Sequence, residues 1–354
     1  MPLRSPSQYV GNSGKRFQPT ITPSPNFNAE HDASALCKSM RCWGTDEDQI
    51  IRILGRRTSE ERQQIKEVYK KKYNRELASD LSGDLSDHFR DLCILLTESP
   101  MYLMAKSLYY AMKGFGTNEN TIIEILVGCT SDELKKVKEA YTHVLRDKGI
   151  KDPSRSLESD IRAETRGYFC KALLKILQAG APDPTPEQLK QLENQGPNAI
   201  VNQAVVQDVV QQLTKLELKK PGANDKILMD LLTNKNIWDL AAIAQQYEKA
   251  AGKPLSKLIE EQTDGDYEGL LQAMVQHAIN RPKFYSDLLF KSMDGSGTRD
   301  FLLMRIMILR SDIDLLDIKE QYDRDHQSLE KWIKGDTSGD YEKLLLTILG
   351  VVNK

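Results

Sequence analysis

Four glycine-bearing segments recur along the chain, each followed at a distance by a polar side chain that could complete an ion site. They read Met40-Arg41-Cys42-Trp43-Gly44-Thr45, Met112-Lys113-Gly114-Phe115-Gly116-Thr117, Lys220-Pro221-Gly222-Ala223 and Met293-Asp294-Gly295-Ser296-Gly297-Thr298. The distant partners are Asp84, Glu164, Gln262 and Asp336, the last opening Asp336-Thr337-Ser338-Gly339. A single glycine loop is an ordinary turn, because glycine permits positive φ. A loop and an acid that recur together suit calcium, a hard cation that takes roughly six to eight oxygens and accepts backbone carbonyls beside a bidentate carboxylate. One carboxylate leaves such an ion net positive, with positions open to water or to a lipid phosphate. So few charged ligands imply weak affinity in the absence of lipid.

The charge balance makes that ion necessary. Lys plus Arg number 49 against 51 Asp plus Glu, so net charge cannot draw the chain to an anionic lipid or to nucleic acid, and no nucleic-acid partner is expected. The composition, 40% hydrophobic and 28% charged, is that of a soluble protein, and apolar runs such as Leu344 to Ile348 fall far short of the roughly 20 residues of a membrane span. Five cysteines without disulfide or metal-ligand spacing predict a reducing, cytoplasmic setting, and the N-terminus lacks the apolar stretch of a secretory signal.

The elements that position these groups follow from the repeat. Stepping 25 residues from Gly44, Gly116, Gly222 and Gly297 reaches Tyr69, Tyr141, Tyr247 and Tyr322. Steps of 6, 7, 9 and 10 reach Ile50, Ile51, Ile53 and Leu54 in the first copy, and large aliphatic or Met residues in the other three. Those offsets fit one face of a helix, whereas a strand would alternate with period two. Thr45, Thr117 and Thr298 follow their glycines and are expected to cap the helix, with Asn224 taking that part in the third copy. Shorter amphipathic segments downstream bring each unit to about five helices in about 70 residues, too small a core unless the units stack. The glycines are 72, 106 and 75 residues apart. An eight-residue insertion near Asp147 to Arg155 and a linker with one short helix opened by Thr185 and Pro186 account for the longer gap, so two halves joined by that linker are expected.

With its M-K-G-x-G-T loop, four copies in register, the long link between the second and third, and Lys334-Gly335-Asp336-Thr337-Ser338-Gly339-Asp340-Tyr341, the chain resembles the annexin family from about Asn26 to Lys354. The resemblance implies an all-α fold: four repeats of about five helices in a curved disc, calcium loops on the convex face and the N-terminal tail on the concave one. On it the chain divides into a flexible tail 1–27, repeats at 28–98, 99–180, 199–280 and 281–354, and a linker at 181–198. Carried over by position, the fourth repeat offers the carbonyls of Met293, Gly295 and Gly297 with Asp336, and the second those of Met112, Gly114 and Gly116 with Glu164. The first offers Met40, Cys42 and Gly44 with Asp84, where Cys42 replaces the family's glycine. The third, with Pro221 in its loop and Gln262 for the acid, is expected to be degenerate.

The function so implied is non-enzymatic, calcium-dependent binding to anionic, phosphatidylserine-like phospholipids, used in membrane organisation, aggregation or repair. The protein would be cytoplasmic and peripheral on membranes when calcium is present, with self-association on the membrane, a protein partner for the tail and unconventional export left open. A calcium-independent helical scaffold for protein partners is the alternative. An enzyme finds little support, since there is no G-x-S-x-G, no phosphate loop and no paired His and acid. Trp43, in a loop expected to be exposed, is open to interfacial insertion or to partial burial. The five histidines are expected at the surface, and the proline- and serine-rich tail is expected to be disordered.

Overall fold

The computed structural model describes residues 4–40, 44–179, 183–216, 220–295 and 297–351. Within them the chain is all-α, the one strand-like feature being an isolated antiparallel bridge between Val10 and Arg16. The first repeat supplies α1 (Ala29–Ser39), α2 (Glu47–Leu54), α3 (Ser59–Tyr73), α4 (Leu77–Asp84) and α5 (Asp87–Leu96). The second supplies α6 (Pro100–Ala111), α7 (Glu119–Gly128), α8 (Ser131–Asp147), α9 (Leu157–Glu164) and α10 (Gly167–Ala179). After the linker helix α11 (Pro186–Gln195) come α12 (Gln203–Thr214), α13 (Asp225–Leu232), α14 (Ile237–Ala251), α15 (Leu255–Gln262) and α16 (Gly265–Ile279). The last five are α17 (Arg281–Met293), α18 (Asp300–Arg310), α19 (Leu315–Asp325), α20 (Leu329–Asp336) and α21 (Gly339–Ile348).

The aliphatic stripes and the four tyrosines form the core: every stripe residue is buried except Met229, which is half-buried, and Tyr69, Tyr141, Tyr247 and Tyr322 are buried. The tyrosine hydroxyl also does local work. Tyr69 donates to Asp80 at 2.6 Å and Tyr141 to Asp160 at 2.5 Å, and each acid is held in turn by an arginine, Arg75 at 2.6 Å and Arg155 at 2.9 Å. The insertion therefore bulges out after α8 and returns the chain to the register of the first repeat at Arg155.

Two compact units are present, and they do not divide at the linker as the spacing predicts. One comprises Phe17–Leu103 with Tyr285–Lys354, the other Arg4–Arg16 with Met104–Phe284. In the first unit α21 packs on α2 and α5, joining the first repeat to the fourth. In the second, α16 packs on α7 and α10, joining the second repeat to the third. The linker thus closes a unit instead of separating two. Thr185 and Gln188 form a reciprocal capping box with Pro186 in the first turn, as the sequence predicts.

The tail corrects a second expectation. Composition predicts disorder, yet Arg4, Ser5, Ser7, Gln8 and Val10 are buried in the second unit. Arg4 pairs with Glu133 at 2.8 Å, Gln8 Nε2 donates to Glu133 at 2.6 Å, and Arg281 donates to the Gln8 carbonyl at 2.7 Å. A charge buried among such partners holds a segment in place, because breaking the set strands the others away from water. The turn at Gly14 (φ 80°) lies against the linker helix so closely that a Cβ would stand 2.2 Å from the Leu192 carbonyl oxygen. Further along, in the first unit, Thr20 and Ile21 amides both donate to Ser311 O at 2.9 Å.

The histidines are likewise not uniformly superficial. His277 is buried in the second unit with Phe284 edge-on at 5.4 Å, and the ring of His326 stacks on Phe290 at 4.1 Å in the first.

Candidate functional site

Each glycine loop leaves the end of one helix, and in the first, second and fourth repeats a backbone bond closes it. The amides of Asp46, Asn118 and Arg299 donate to the carbonyls of Ser39, Ala111 and Ser292, at 3.0, 2.8 and 2.7 Å. Between those points Met40, Met112 and Met293 are buried, so their side chains anchor the start of the loop, while Gly44, Gly116 and Gly297 are exposed with φ of 85°, 87° and 90°. At Gly114 and Gly295, with φ of 107° and 112°, a Cβ would meet nothing within 4 Å. Glycine is needed there for conformation, which turns successive carbonyls, and is not forced by crowding. Arg41, Cys42, Trp43 and Ser296 lie outside the described residues, so the Cys42 and Trp43 readings find neither support nor contradiction here.

The threonines do not cap. In the first two repeats the cap falls one residue later, on Asp46 accepting from Gln49 N at 2.9 Å and on Asn118 accepting from Thr121 N at 3.0 Å. Thr117 Oγ1 instead reaches the end of α9, 3.4 Å from Glu164 O and 3.3 Å from its carboxylate, and Thr298 Oγ1 lies 3.4 Å from Asp336 O. The threonine therefore ties the glycine loop to the helix end that carries the acid, a role that the local pattern cannot reveal because the partner is 47 residues away in the second repeat. That helix end is itself fixed: the hydroxyls of Thr165, Thr263 and Thr337 each donate to the carbonyl four residues back, at 2.6 to 2.7 Å.

Asp84, Glu164 and Asp336 are exposed, as a ligand-accepting carboxylate must be, whereas Gln262 is 1% exposed. Asn224 heads α13 without capping it; its Nδ2 donates to Gln262 Oε1 at 2.6 Å, and Gly222 N donates to Gln262 O at 3.0 Å. The third repeat has replaced an exposed anion with a buried amide pair, which satisfies its own polar groups.

In the first unit the acids of two repeats share a bay of about 470 Å³. Asp84 and Asp336 line it with Glu47, Asp87, Asp300 and Asp340. His88 stands 3.4 Å from Asp300, which also accepts from Tyr341 at 2.9 Å. Six carboxylates facing one histidine give a field that concentrates cations. Asp87 was not singled out by the motif: it sits at φ 52° where Gly167, Gly265 and Gly339 occupy φ of 63°, 59° and 63°. Among the described residues no three His, Cys, Asp or Glu side chains converge on one point to hold a metal. Backbone carbonyls with an acid make an all-oxygen donor set, the kind that calcium accepts.

Stacked helical repeats, with a glycine loop tied to a distant helix end in the second, third and fourth, define the class of protein, and the comparisons identify it. The sequence model of the annexin family matches residues 31–96, 104–176, 209–274 and 284–348. Annexin A13 of Schistosoma japonicum is 39% identical over 98% of both chains, and annexin B22 of Schistosoma mansoni 42% identical over 96% of this chain and 93% of its own. A crystal structure of calcium-bound annexin (Sm)1 superposes with a TM-score of 0.93 at 40% identity, covering 99% of this chain and 98% of that one. The chain belongs to the annexin family.

Proposed function

We propose that this chain docks on anionic, phosphatidylserine-like phospholipid surfaces through calcium ions bridging its glycine loops to lipid phosphates. Membership of the annexin family supports calcium-dependent phospholipid binding, and the finer assignment is as follows. In the second repeat the carbonyls of Met112, Gly114 and Gly116 would hold calcium with Glu164, and in the fourth those of Met293, Gly295 and Gly297 with Asp336. The first would use Met40, Cys42, Gly44 and Asp84, and the third would take none. Bound calcium supplies the positive charge that the chain, at net −2, lacks. No covalent chemistry is assigned to any residue. The repeats assigned to these sites run 28–98, 99–180, 199–280 and 281–354, and the protein would be cytoplasmic until calcium draws it to a membrane.

The observation that carries the reading is the tie between loop and acid: Thr117 Oγ1 lies 3.3 Å from the Glu164 carboxylate, so an exposed acid faces the glycine loop although the two are far apart in sequence. Co-sedimentation with mixed neutral and anionic vesicles, across calcium concentrations and with chelator, tests it. The wild type is expected to bind only with both calcium and anionic lipid, Asp336→Ala to need more calcium, and the triple change Asp84→Ala/Glu164→Ala/Asp336→Ala to lose binding. Binding indifferent to calcium would favour the helical scaffold instead.

A further inference from the structure

The second unit holds a cavity of about 110 Å³, bordered by the tail, the linker and helices of the second and third repeats. Its wall is largely apolar, with Leu126, Leu134, Ile176, Leu240 and Met274 contributing. Three of the polar side chains there already have partners. The Asp183 carboxylate, from the linker, accepts from Ser131 N at 3.2 Å and from Asp132 N at 2.9 Å, at the start of α8. Gln8 Nε2 donates to Gly128 O at 2.8 Å as well as to Glu133, and Arg281 donates to the Gln8 carbonyl. Two others differ. Trp238, in the first turn of α14, is 4% exposed, and its Nε1–H has no acceptor among the described residues. Asn234, at φ 64° in the turn between α13 and α14, has a buried Oδ1 with no donor among them. One unpaired donor and one unpaired acceptor therefore belong to the lining of a single cavity.

A buried polar group left unpaired is costly, and native proteins nearly always supply its partner from protein, from water or from a ligand. Filling this space with water would take several molecules, each seeking about three hydrogen bonds, against a largely apolar wall. A small ring with a carbonyl beside an N–H answers both groups at once: its oxygen accepts from Trp238, its N–H donates to Asn234, and its hydrocarbon edge meets the aliphatic wall. Size sets the scale. An apolar cavity of about 150 Å³ takes benzene, so a ring of about five atoms suits this one. A charged ligand would leave water for that wall with Asp183 and Arg281 already engaged, which favours a neutral one. We propose that the cavity is a binding site for a small neutral lactam or imide ring, paired to Trp238 Nε1 and Asn234 Oδ1. None of the described lining residues belongs to a glycine loop or is one of the distant acids, so the site is independent of the ion bridge.

Titration of the full, isotope-labelled chain with 2-pyrrolidone, followed by NMR of the indole N–H resonances, tests the site. Trp238→Phe assigns the signal among the three tryptophans, and Trp43→Phe with Trp332→Phe assigns it by difference if that variant fails to fold. The Trp238 signal is expected to move downfield and to saturate with a Kd on the order of 1 mM, a range open to so small a ligand. The same shift is expected with calcium or with chelator. N-methylpyrrolidone keeps the carbonyl but lacks the N–H, and is expected to bind the wild type about tenfold more weakly. Asn234→Gly, which keeps a residue at ease with positive φ, is expected to bring the two ligands to equal affinity. A Trp238 signal that stays still at tens of millimolar 2-pyrrolidone, in a wild-type chain whose circular dichroism is helical, would mean that water alone fills the cavity and would overturn the site. Equal affinity of the wild type for the two lactams would overturn it as well, since the pairing to Asn234 would then be absent.

Discussion

The second and third glycine loops lie in the same compact unit and meet the same kind of helix end, but Glu164 is exposed where Gln262 is buried. The second repeat leaves an anion outside, 3.3 Å from the Thr117 hydroxyl of its glycine loop. The third turns its amide inward and bonds it to Asn224 at 2.6 Å, while Gly222 N donates to the Gln262 backbone carbonyl. A carboxylate could not have been buried this way without a cation, since an ionised group taken from water is far costlier than an amide with its hydrogen bonds made. One backbone plan therefore carries either an exposed anion, the ion site proposed above, or a self-satisfied packing joint, depending on whether the side chain at one position is charged.

Changing these two side chains one at a time gives the largest expected effect. Gln262→Ala removes a buried partner of Asn224 and should lower unfolding free energy by about 1 to 3 kcal/mol in urea denaturation, without changing calcium-dependent vesicle binding. Glu164→Gln should do the reverse, with stability within about 0.5 kcal/mol of wild type and one fewer calcium bound in calorimetric titration with vesicles. If both variants lose stability alike, the contrast between the repeats is false.

A smaller effect is expected in the first repeat, where Asp87 takes the left-handed position that glycine fills in the other three. Asp87→Gly relieves that backbone cost but adds freedom to the unfolded chain, so a net stabilisation of about 0.5 kcal/mol is expected from chemical denaturation. A loss of stability would mean that the aspartate side chain is needed in the acidic bay.

The smallest effect is spectroscopic. Tyr110 is lowered by Lys148, whereas burial and the adjacent acids raise Tyr69 and Tyr141 above the ordinary tyrosine range. In absorbance titration at alkaline pH Tyr110 should ionise first, and Tyr110→Phe should remove that earliest step. Because the folded form favours the tyrosinate, this contact gains strength as pH rises through the Tyr110 titration, until the lysines themselves deprotonate.

Much of the architecture is legible in the sequence because it depends on local periodicity. The stripe beginning at Ile50, and its counterparts, requires helices with one buried face, and four tyrosines at a common offset require one unit repeated four times. Thr185-Pro186 announces the linker helix because a capping box and an N-terminal proline act within one turn. Local chemistry is also why the threonines mislead: Thr117 and Thr298 look like caps, and only the fold brings α9 and α20 within their reach. The tail misleads for the same reason, since its composition is that of a disordered segment and the buried partners Glu133 and Arg281 come from distant helices.

The sequence by itself determined the number of repeats, their helical period, the oxygen-rich loops and the one repeat that lost its acid, because each is written in residues within a turn or in the interval between copies. The tertiary structure decided which repeats share a core, that Gln262 is sealed by Asn224, that the tail is held, and that Tyr110 meets Lys148. Those depend on residues tens to hundreds of positions apart meeting in space, and no local propensity encodes such a meeting: it follows from how the packed helices bury their apolar faces together.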